Sequence, residues 1–258
     1  MANNLINNYF DKVYVVTTKR LKNRHKYIKE HLDKFNIKFE LIYGPDKDDI
    51  NLKDFNIINT FFNLNKNNST NYTNRVKIDI VCIISHYMSW QDMISKKYRN
   101  CLIMEDDCCL VPNFLSSFKN FTENIKNIEW DILQLGWQPF NYTSVKDIKI
   151  NNYVKKQWSF IGGAHCYAIT NRTAQLLVKN LIILNKDKDK INNDSELYRN
   201  GAIYKGIDGY IGDISNILTK NNWNINIQSY CPIENLAADC SHGNQFTDVK
   251  FSVYAMDE

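Results

Sequence analysis

The first 44 residues alternate short apolar runs with one amphipathic segment, and this alternation constrains the fold more than any other feature of the chain. The β-branched run DKVYVVTT, residues 11–18, predicts a buried strand. Leu21, Ile28 and Leu32 then recur near helical spacing among charged residues, which indicates an amphipathic helix. KFELIYG, residues 38–44, predicts a second strand. This order predicts an α/β fold with a Rossmann-like, mostly parallel sheet flanked by helices.

The remainder of the chain continues the alternation. Residues 45–77 are polar and rich in Asn, so we expect a long loop inserted there. No repeat or linker-like break interrupts the chain, which favours a single domain over residues 1–258. Further strands are predicted at 101–104, 130–137, 159–170 and 222–230, and further helices at 76–97, 111–128, 170–184 and 207–220.

Composition excludes several classes of protein. The net charge of +4 is scattered, which argues against a nucleic-acid partner, and no apolar stretch approaches the roughly 18 residues of a membrane span. The N-terminal residues MANNLINNYF lack the pattern of a secretory signal, so we expect a soluble cytoplasmic protein. The bias toward Asn, Ile and Lys is typical of an AT-rich genome, including that of a large virus, for which the host cytoplasm or the virion would be the location.

Three consecutive acids follow the apolar run CLIM. Glu105, Asp106 and Asp107 are therefore expected at the carboxyl end of a central strand, where open α/β sheets bind ligands. Residues two apart in an extended segment point the same way, so Glu105 and Asp107 should face one side and Asp106 the other. Such a pair can hold a hard cation, Mn²⁺ or Mg²⁺. The alternative is a solvated acidic turn before the next helix.

Several motifs, taken in chain order, resemble those of glycosyltransferase family 25. These are KVYVVTTKRLKNR, CIISHYMSWQDM, CLIMEDDC, GGAHCYAIT and IDGYI, and together they span roughly residues 13–214. The resemblance implies a GT-A fold and an inverting transfer of a hexose from a UDP-sugar donor to a hydroxyl of a glycan or protein acceptor. It also implies that the acidic triplet is the family's metal motif, with Glu105 and Asp107 as metal ligands.

The resemblance implies a set of residues around the nucleotide sugar. Each has a plainer alternative, because Arg20 and Arg24 could belong to a solvated helix face, His86 could be a core histidine, and a Gly pair could simply ease a bend. The residues implied to bind the donor or its cation are Thr17, Arg20, Arg24, Ser85, His86, Asp106 and Gly163.

Two roles remain open between candidates. Asp208 is the first choice as general base for the acceptor hydroxyl, with Asp213 as its rival, although either could be a helix cap or a surface acid. His242 is the first choice for a late-chain metal ligand, with Asp239 as its rival and an ordinary polar loop as the alternative to both.

Two other functions are alternatives to a glycosyltransferase. A nucleotidyltransferase should begin with a Gly-rich phosphate loop, and TTKRLKNR contains no glycine. A catalytically inactive module of the same fold, which would bind glycans or partner proteins, is the stronger alternative. The presence of Glu105, Asp107 and Asp208 argues against it.

Overall fold

The protein is an α/β molecule in which helices cover both faces of one large sheet. The computed structural model describes residues 4–52, 70–137, 148–157, 162–180, 206–212 and 227–240. The α/β, Rossmann-like class predicted from the sequence is confirmed. Within these ranges no helix is both long and apolar enough to cross a bilayer.

The elements follow one another in the order α1, β1, α2, β2, a short 3₁₀ helix, α3, β3, β4, α4, β5 to β8, α5, β9 and β10. The helices are α1 (Leu5–Tyr9), α2 (Lys22–Asp33), α3 (Thr70–Ser95), α4 (Phe114–Ile125) and α5 (Asn171–Asn180), with the 3₁₀ helix at Lys47–Asp49; residues 206–212 are also helical. The strands are β1 (Lys12–Thr18), β2 (Glu40–Gly44), β3 (Asn100–Glu105), β4 (Cys108–Leu110), β5 (Ile132–Gln134), β6 (Ile148–Lys149), β7 (Val154–Gln157), β8 (Cys166–Thr170), β9 (Ser229–Pro232) and β10 (Ala237–Asp239).

The main sheet has the strand order β2-β1-β3-β8-β5-β9-β7-β6. Following the pairings along it, β1, β2, β3, β5, β6 and β9 run in one direction and β7 and β8 run in the other. The carboxyl ends of β1, β2, β3 and β5 therefore share one edge of the sheet with the start of β8. We call this edge the carboxyl edge.

The central strands are buried on both faces, as their continuous apolar runs require. Alternate residues of β1 divide between two cores: Tyr14 and Val16 pack with α3 and α5, whereas Val13 and Val15 pack with α1, α2 and α4. The same alternation continues along β3 and β8. Three layers, helix on sheet on helix, hold the carboxyl edge rigid from both sides.

Element boundaries differ from the sequence predictions in several places. The helix predicted from residue 76 begins at Thr70, so the Asn-rich loop is shorter than expected. Among the described residues, the strands predicted at 130–137 and 159–170 correspond to β5 and β8 alone, and residues 159–161 lie outside the described ranges. The prediction of mostly loop after residue 230 was wrong for β10, which pairs antiparallel with β4 in a separate two-stranded sheet.

Candidate active site

The acidic triplet lies at the carboxyl edge, as predicted. Glu105 is the last residue of β3, and Asp106 and Asp107 form the turn into β4. The turn lies between β1 and β8, because these two strands flank β3 on either side. Asp106 and Asp107 are buried, whereas the Glu105 side chain keeps 26% of its exposure. The acidic segment is therefore not the solvated turn that was the alternative interpretation.

Arg24 of α2 holds two of the three acids. One guanidinium nitrogen, Nη1, lies 2.9 Å from Asp106 Oδ1 and 3.2 Å from Asp107 Oδ2. Burial acts against the charged form of Arg24, but attraction to Asp107 and Asp106 raises the pKa of its guanidinium. Thr17 at the end of β1 donates its hydroxyl hydrogen to Asp106 Oδ2 at 2.5 Å. Thr17, Arg24 and Asp106 thus form one connected group, and Arg24 is not on a solvated helix face.

Arg20 lies beside this group and points elsewhere. Its Nε donates to Asp46 Oδ2 at 2.9 Å, and Asp46 in turn caps the 3₁₀ helix that follows β2. Arg20 Nη2 and Thr18 Oγ1 are buried without a hydrogen-bond partner among the described residues. Buried polar atoms of this kind normally have a partner, so the carboxyl end of β1 has capacity for a polar ligand.

The environment of Glu105 disfavours its charged form. Burial raises its pKa well above the ordinary range, and the neighbouring carboxylates of Asp107, Asp208 and Asp239 raise it further. Asp106 has a smaller influence on Glu105 than Asp107 has. The prediction that Asp106 and Asp107 face opposite sides was wrong, because both residues lie in a turn and both carboxylates reach Arg24 Nη1. The acids that influence Glu105 come from three regions of the chain, so the fold gathers negative charge at one point.

His86 connects Glu105 to the core through a buried hydrogen-bond chain. Trp90 Nε1 donates to Tyr167 Oη at 3.1 Å, and Tyr167 Oη lies 2.8 Å from His86 Nδ1. His86 Nε2 is 3.4 Å from Glu105 Oε1. Burial lowers the pKa of His86 to about 3, so its ring is neutral at physiological pH.

The hydrogen positions in this chain follow from the donor inventory. An indole nitrogen only donates, so Tyr167 accepts from Trp90 and can give its own hydrogen to His86 Nδ1. In that arrangement the ring hydrogen of His86 resides on Nε2 and is directed at the Glu105 carboxylate.

Ser85, the neighbour of His86, has a packing role. Its hydroxyl donates to the Val81 carbonyl at 2.7 Å within α3. A Cβ built on Gly44 at the end of β2 would lie 1.9 Å from Ser85 Oγ. Helix α3 can therefore approach β2 this closely because residue 44 is glycine.

Asp208 binds the backbone that precedes β8. Its Oδ2 accepts from Gly163 N at 2.8 Å and its Oδ1 accepts from Ala164 N at 2.7 Å. Gly163 has φ of 109°, a conformation that strongly favours glycine. Burial raises the pKa of Asp208, although the two backbone N–H groups act in the opposite direction. Asp208 is thus both an anchor for this loop and a neighbour of Glu105.

Asp239, the last residue of β10, brings the C-terminal part of the described chain to the same place. Cys240 N donates to the Asp107 carbonyl at 2.9 Å, which fixes the end of β10 beside the acidic turn. His165 Nδ1 is 4.0 Å from Asp239 Oδ2. Asp239 was the second choice for a late-chain metal ligand. His242 and Asp213 lie outside the described residues.

Sequence reasoning overlooked three residues near Glu105: Trp90, Tyr167 and His165. One signal was available for Trp90, because it follows His86 by four residues and therefore shares its helix face. A second was the spacing of two between His165 and Tyr167 on the predicted strand. Neither spacing says which residues of α3 meet which residues of β8.

The oxygen atoms at the carboxyl edge are of the kind that binds hard divalent cations. Glu105, Asp107 and Asp239 offer carboxylate oxygens, which Mg²⁺ and Mn²⁺ prefer. In the part of the chain that the structure describes, however, no three His, Cys, Asp or Glu side chains already converge in a metal-binding arrangement.

Comparison with known proteins agrees with this geometry. The family model for glycosyltransferase family 25, described as an LPS biosynthesis protein, matches residues 10–192. That range contains the acidic triplet, Arg24 and His86, but ends before Asp208 and Asp239.

Among curated relatives, human procollagen galactosyltransferase 2 is 22% identical over 131 residues, which cover 49% of this chain and 21% of that protein. Its mouse counterpart is 24% identical over 180 residues, 66% of this chain and 27% of that protein. A human protein named inactive glycosyltransferase 25 family member 3 is 27% identical over 67 residues, 25% of this chain and 11% of that protein. The chain thus spans about a quarter or less of the length of these relatives. Because the family model covers most of its residues, the chain belongs to glycosyltransferase family 25.

Proposed function

We propose that this protein transfers a hexose from a UDP-sugar to a hydroxyl group of a glycan or protein acceptor, with inversion at the anomeric carbon. The observation that carries the proposal is the gathering of Glu105, Asp107, Asp208 and Asp239 at one edge of the sheet, within and just beyond the segment that matches the family. The relatives named procollagen galactosyltransferase support a hexose donor and a protein acceptor.

The donor nucleotide is proposed to bind at the carboxyl end of β1. Thr18 Oγ1 and Arg20 Nη2 are buried there without partners among the described residues, and a uridine or diphosphate could supply acceptors for both. Arg24 is proposed to act indirectly, because its Nη1 already bonds Asp106 and Asp107. It would hold the acidic turn in place and offset part of its charge.

Glu105 and Asp107 are proposed to hold Mn²⁺ or Mg²⁺, with Asp239 as the candidate third ligand among the described residues. Burial, followed by repulsion from neighbouring carboxylates, raises the pKa of Glu105, and such a cation would relieve the repulsion. When bound, the cation supplies charge that stabilises the departing diphosphate. The His86 Nε2–H directed at Glu105 Oε1 would fix the orientation of that carboxylate.

In the transfer step, the acceptor oxygen bonds to the anomeric carbon as the bond between that carbon and the phosphate oxygen breaks. The electron pair of the broken bond leaves with UDP, and the acceptor's proton must go to a base. Asp208 is proposed as that base, because its burial raises its pKa toward the operating range of a general base.

Calorimetric titration with UDP tests the donor and cation assignments together. UDP should bind more tightly with Mn²⁺ than with EDTA, and Asp107→Ala should remove most of that difference. Asp106→Asn and Asp107→Asn are the matched pair, and Asp106→Asn should affect the metal dependence less, because Asp106 accepts from Thr17 as well as from Arg24. Equal UDP affinity with Mn²⁺ and with EDTA in the unaltered protein would contradict the proposal.

An inactive module of the same fold is the second candidate, favoured by the relative that is named inactive. Such a module could still bind UDP. A panel of UDP-sugars, incubated with Mn²⁺ and assayed for UDP release, separates the two functions. Release from one sugar nucleotide, lost in Asp107→Ala, supports the enzyme, whereas UDP binding without release from any member supports the module.

A further inference from the structure

The edge of the sheet opposite the acids carries an open groove of about 760 Å³. It lies where β3, β5 and β9 begin and β8 ends, and Tyr9 of α1 contributes to its wall. Its volume is within the range of small-molecule sites, roughly 300–1,000 Å³. Strand β3 separates it from Glu105 by about 17 Å, from five steps of roughly 3.3 Å each. The groove is therefore distinct from the candidate active site.

The floor of the groove is rigid. Backbone hydrogen bonds connect the strand ends, with Asp131 N donating to the Gln228 carbonyl at 2.8 Å and Thr170 N donating to the Asp131 carbonyl at 3.1 Å. The Asp131 side chain, which is buried, adds two more links. Its Oδ1 accepts from Arg172 Nη1 at 2.8 Å and its Oδ2 accepts from Gln228 N at 2.9 Å. A ligand would meet a preformed surface, which reduces the entropic cost of binding.

Both arginines along the groove are paired with carboxylates, and one further carboxylate leaves a small negative excess. Arg172 is paired with Asp131, and Arg99 makes two hydrogen bonds to the carboxylate of Asp11, at 3.2 and 2.8 Å. Glu129 adds one exposed carboxylate. An anionic ligand would compete with Asp11 and Asp131 for the guanidinium groups. The groove therefore favours an uncharged ligand over an anionic one.

Aromatic and planar polar residues line the groove together. Trp130 is partly exposed, and the rest of its side chain packs against the same core cluster as Tyr9. Asn100 and Gln228 contribute amide groups beside it. An aromatic ring suits the C–H face of a sugar, and amide, carboxylate and guanidinium groups suit its hydroxyls, because each can donate to or accept from a hydroxyl group.

We propose that this groove is a second binding site, for an uncharged saccharide. The inference does not depend on the proposed transferase activity, because none of the groove residues belongs to the carboxyl edge. A saccharide held here would tether a glycan chain to the protein about one strand length from the acids.

The test is an NMR titration of the unaltered protein with neutral trisaccharides of glucose, galactose, mannose and N-acetylglucosamine, beside an anionic heparin disaccharide. At least one neutral trisaccharide should shift the Trp130 indole N–H and the Gln228 backbone amide. Trp130→Ala should weaken the binding of that trisaccharide by about tenfold, as expected for an aromatic anchor. Trp130→Phe keeps an aromatic ring and should weaken the binding less. Asp107→Asn at the other edge should leave this affinity unchanged.

Three results would overturn the proposal: no shifts at the groove with any neutral trisaccharide at millimolar concentration, shifts confined to residues of the carboxyl edge, or shifts at the groove with the heparin disaccharide alone. These results concern the groove only. Loss of UDP binding or of transfer would instead count against the proposed function.

Discussion

The orientation of Glu105 depends on individual atoms of a buried chain, and Tyr167 is its central member. Tyr167→Phe removes one oxygen, so the Trp90 indole loses its acceptor and His86 Nδ1 loses its donor. We expect a loss of about 1–3 kcal/mol of stability for each buried group left unpaired. We also expect the His86 ring hydrogen to divide between its two nitrogens, which should weaken Mn²⁺-dependent UDP binding.

Tyr210→Phe is the matched control. Tyr210 is also fully buried and its hydroxyl donates to the Leu177 carbonyl at 2.6 Å, but no hydrogen bond joins it to His86 within the described residues. A long-range ¹H–¹⁵N spectrum of the histidine rings distinguishes the two tautomers. The assignment would be refuted by His86 carrying its hydrogen on Nδ1 in the unaltered protein, or by identical spectra for Tyr167→Phe and the unaltered protein.

Contacts between residues distant in the chain could not be predicted from the sequence. His86 and the acidic triplet were selected from local motifs, and the structure places His86 Nε2 against Glu105 Oε1. The partner of His86, Tyr167, is 81 residues away in the chain. No local pattern encodes that contact, because it depends on β8 pairing antiparallel with β3, and that pairing is set by the whole fold.

At the scale of elements, helix α2 is joined to β4 through a neutral histidine. His31 Nε2 accepts from Leu110 N at 2.8 Å, and burial, followed by repulsion from Lys34, lowers the pKa of His31 to about 4. Below the ordinary histidine pKa of about 6.5, His31 binds a proton in the unfolded chain but stays neutral in the folded protein. Stability should therefore fall as pH decreases from about 6.5 toward about 4.

Urea unfolding at several pH values measures this contribution. A difference of one bound proton between the unfolded and folded states lowers the free energy of unfolding by at most about 1.4 kcal/mol per pH unit. His31→Gln keeps a side-chain acceptor but cannot titrate, so its unfolding free energy should depend less on pH in this window. Equal slopes for His31→Gln and the unaltered protein would show that His31 is not responsible for the acid sensitivity.

Elements were predicted well where they are long and strongly apolar and poorly where they are short. Strands β1, β2 and β3 fill continuous apolar runs and were anticipated near their observed bounds. Strands β4 and β10 have three residues each, too few for a two-residue period to be recognised, and they were missed. Their pairing nevertheless brings Asp239 beside the acidic turn, so the omission concealed part of the candidate site.

For the molecule as a whole, Asp208 connects the helical segment 206–212 to the loop that precedes β8, and its charge also raises the pKa of Glu105 at the end of β3. The fold therefore gives one carboxylate two tasks, a structural one and the proposed catalytic one. Asp208→Asn affects both, because an amide has one acceptor oxygen, and its NH₂ group would face the backbone N–H of Gly163 or Ala164. We expect a loss of about 1–3 kcal/mol of stability from that unpaired donor.

The catalytic task can still be separated from the structural one. If Asp208 is the base, transfer by the folded Asp208→Asn protein should fall by roughly 10²- to 10⁴-fold, while UDP affinity with Mn²⁺ changes little. The measurement is the transfer rate per folded molecule, at a temperature where urea titration shows the variant to be fully folded, beside UDP affinity from calorimetry. Gly163→Ala is the control, because a side chain at φ of 109° strains the same loop and leaves the carboxylate in place. A similar loss of transfer in Gly163→Ala and Asp208→Asn would mean that the loop conformation accounts for the loss, and the assignment of Asp208 as the base would lose its support.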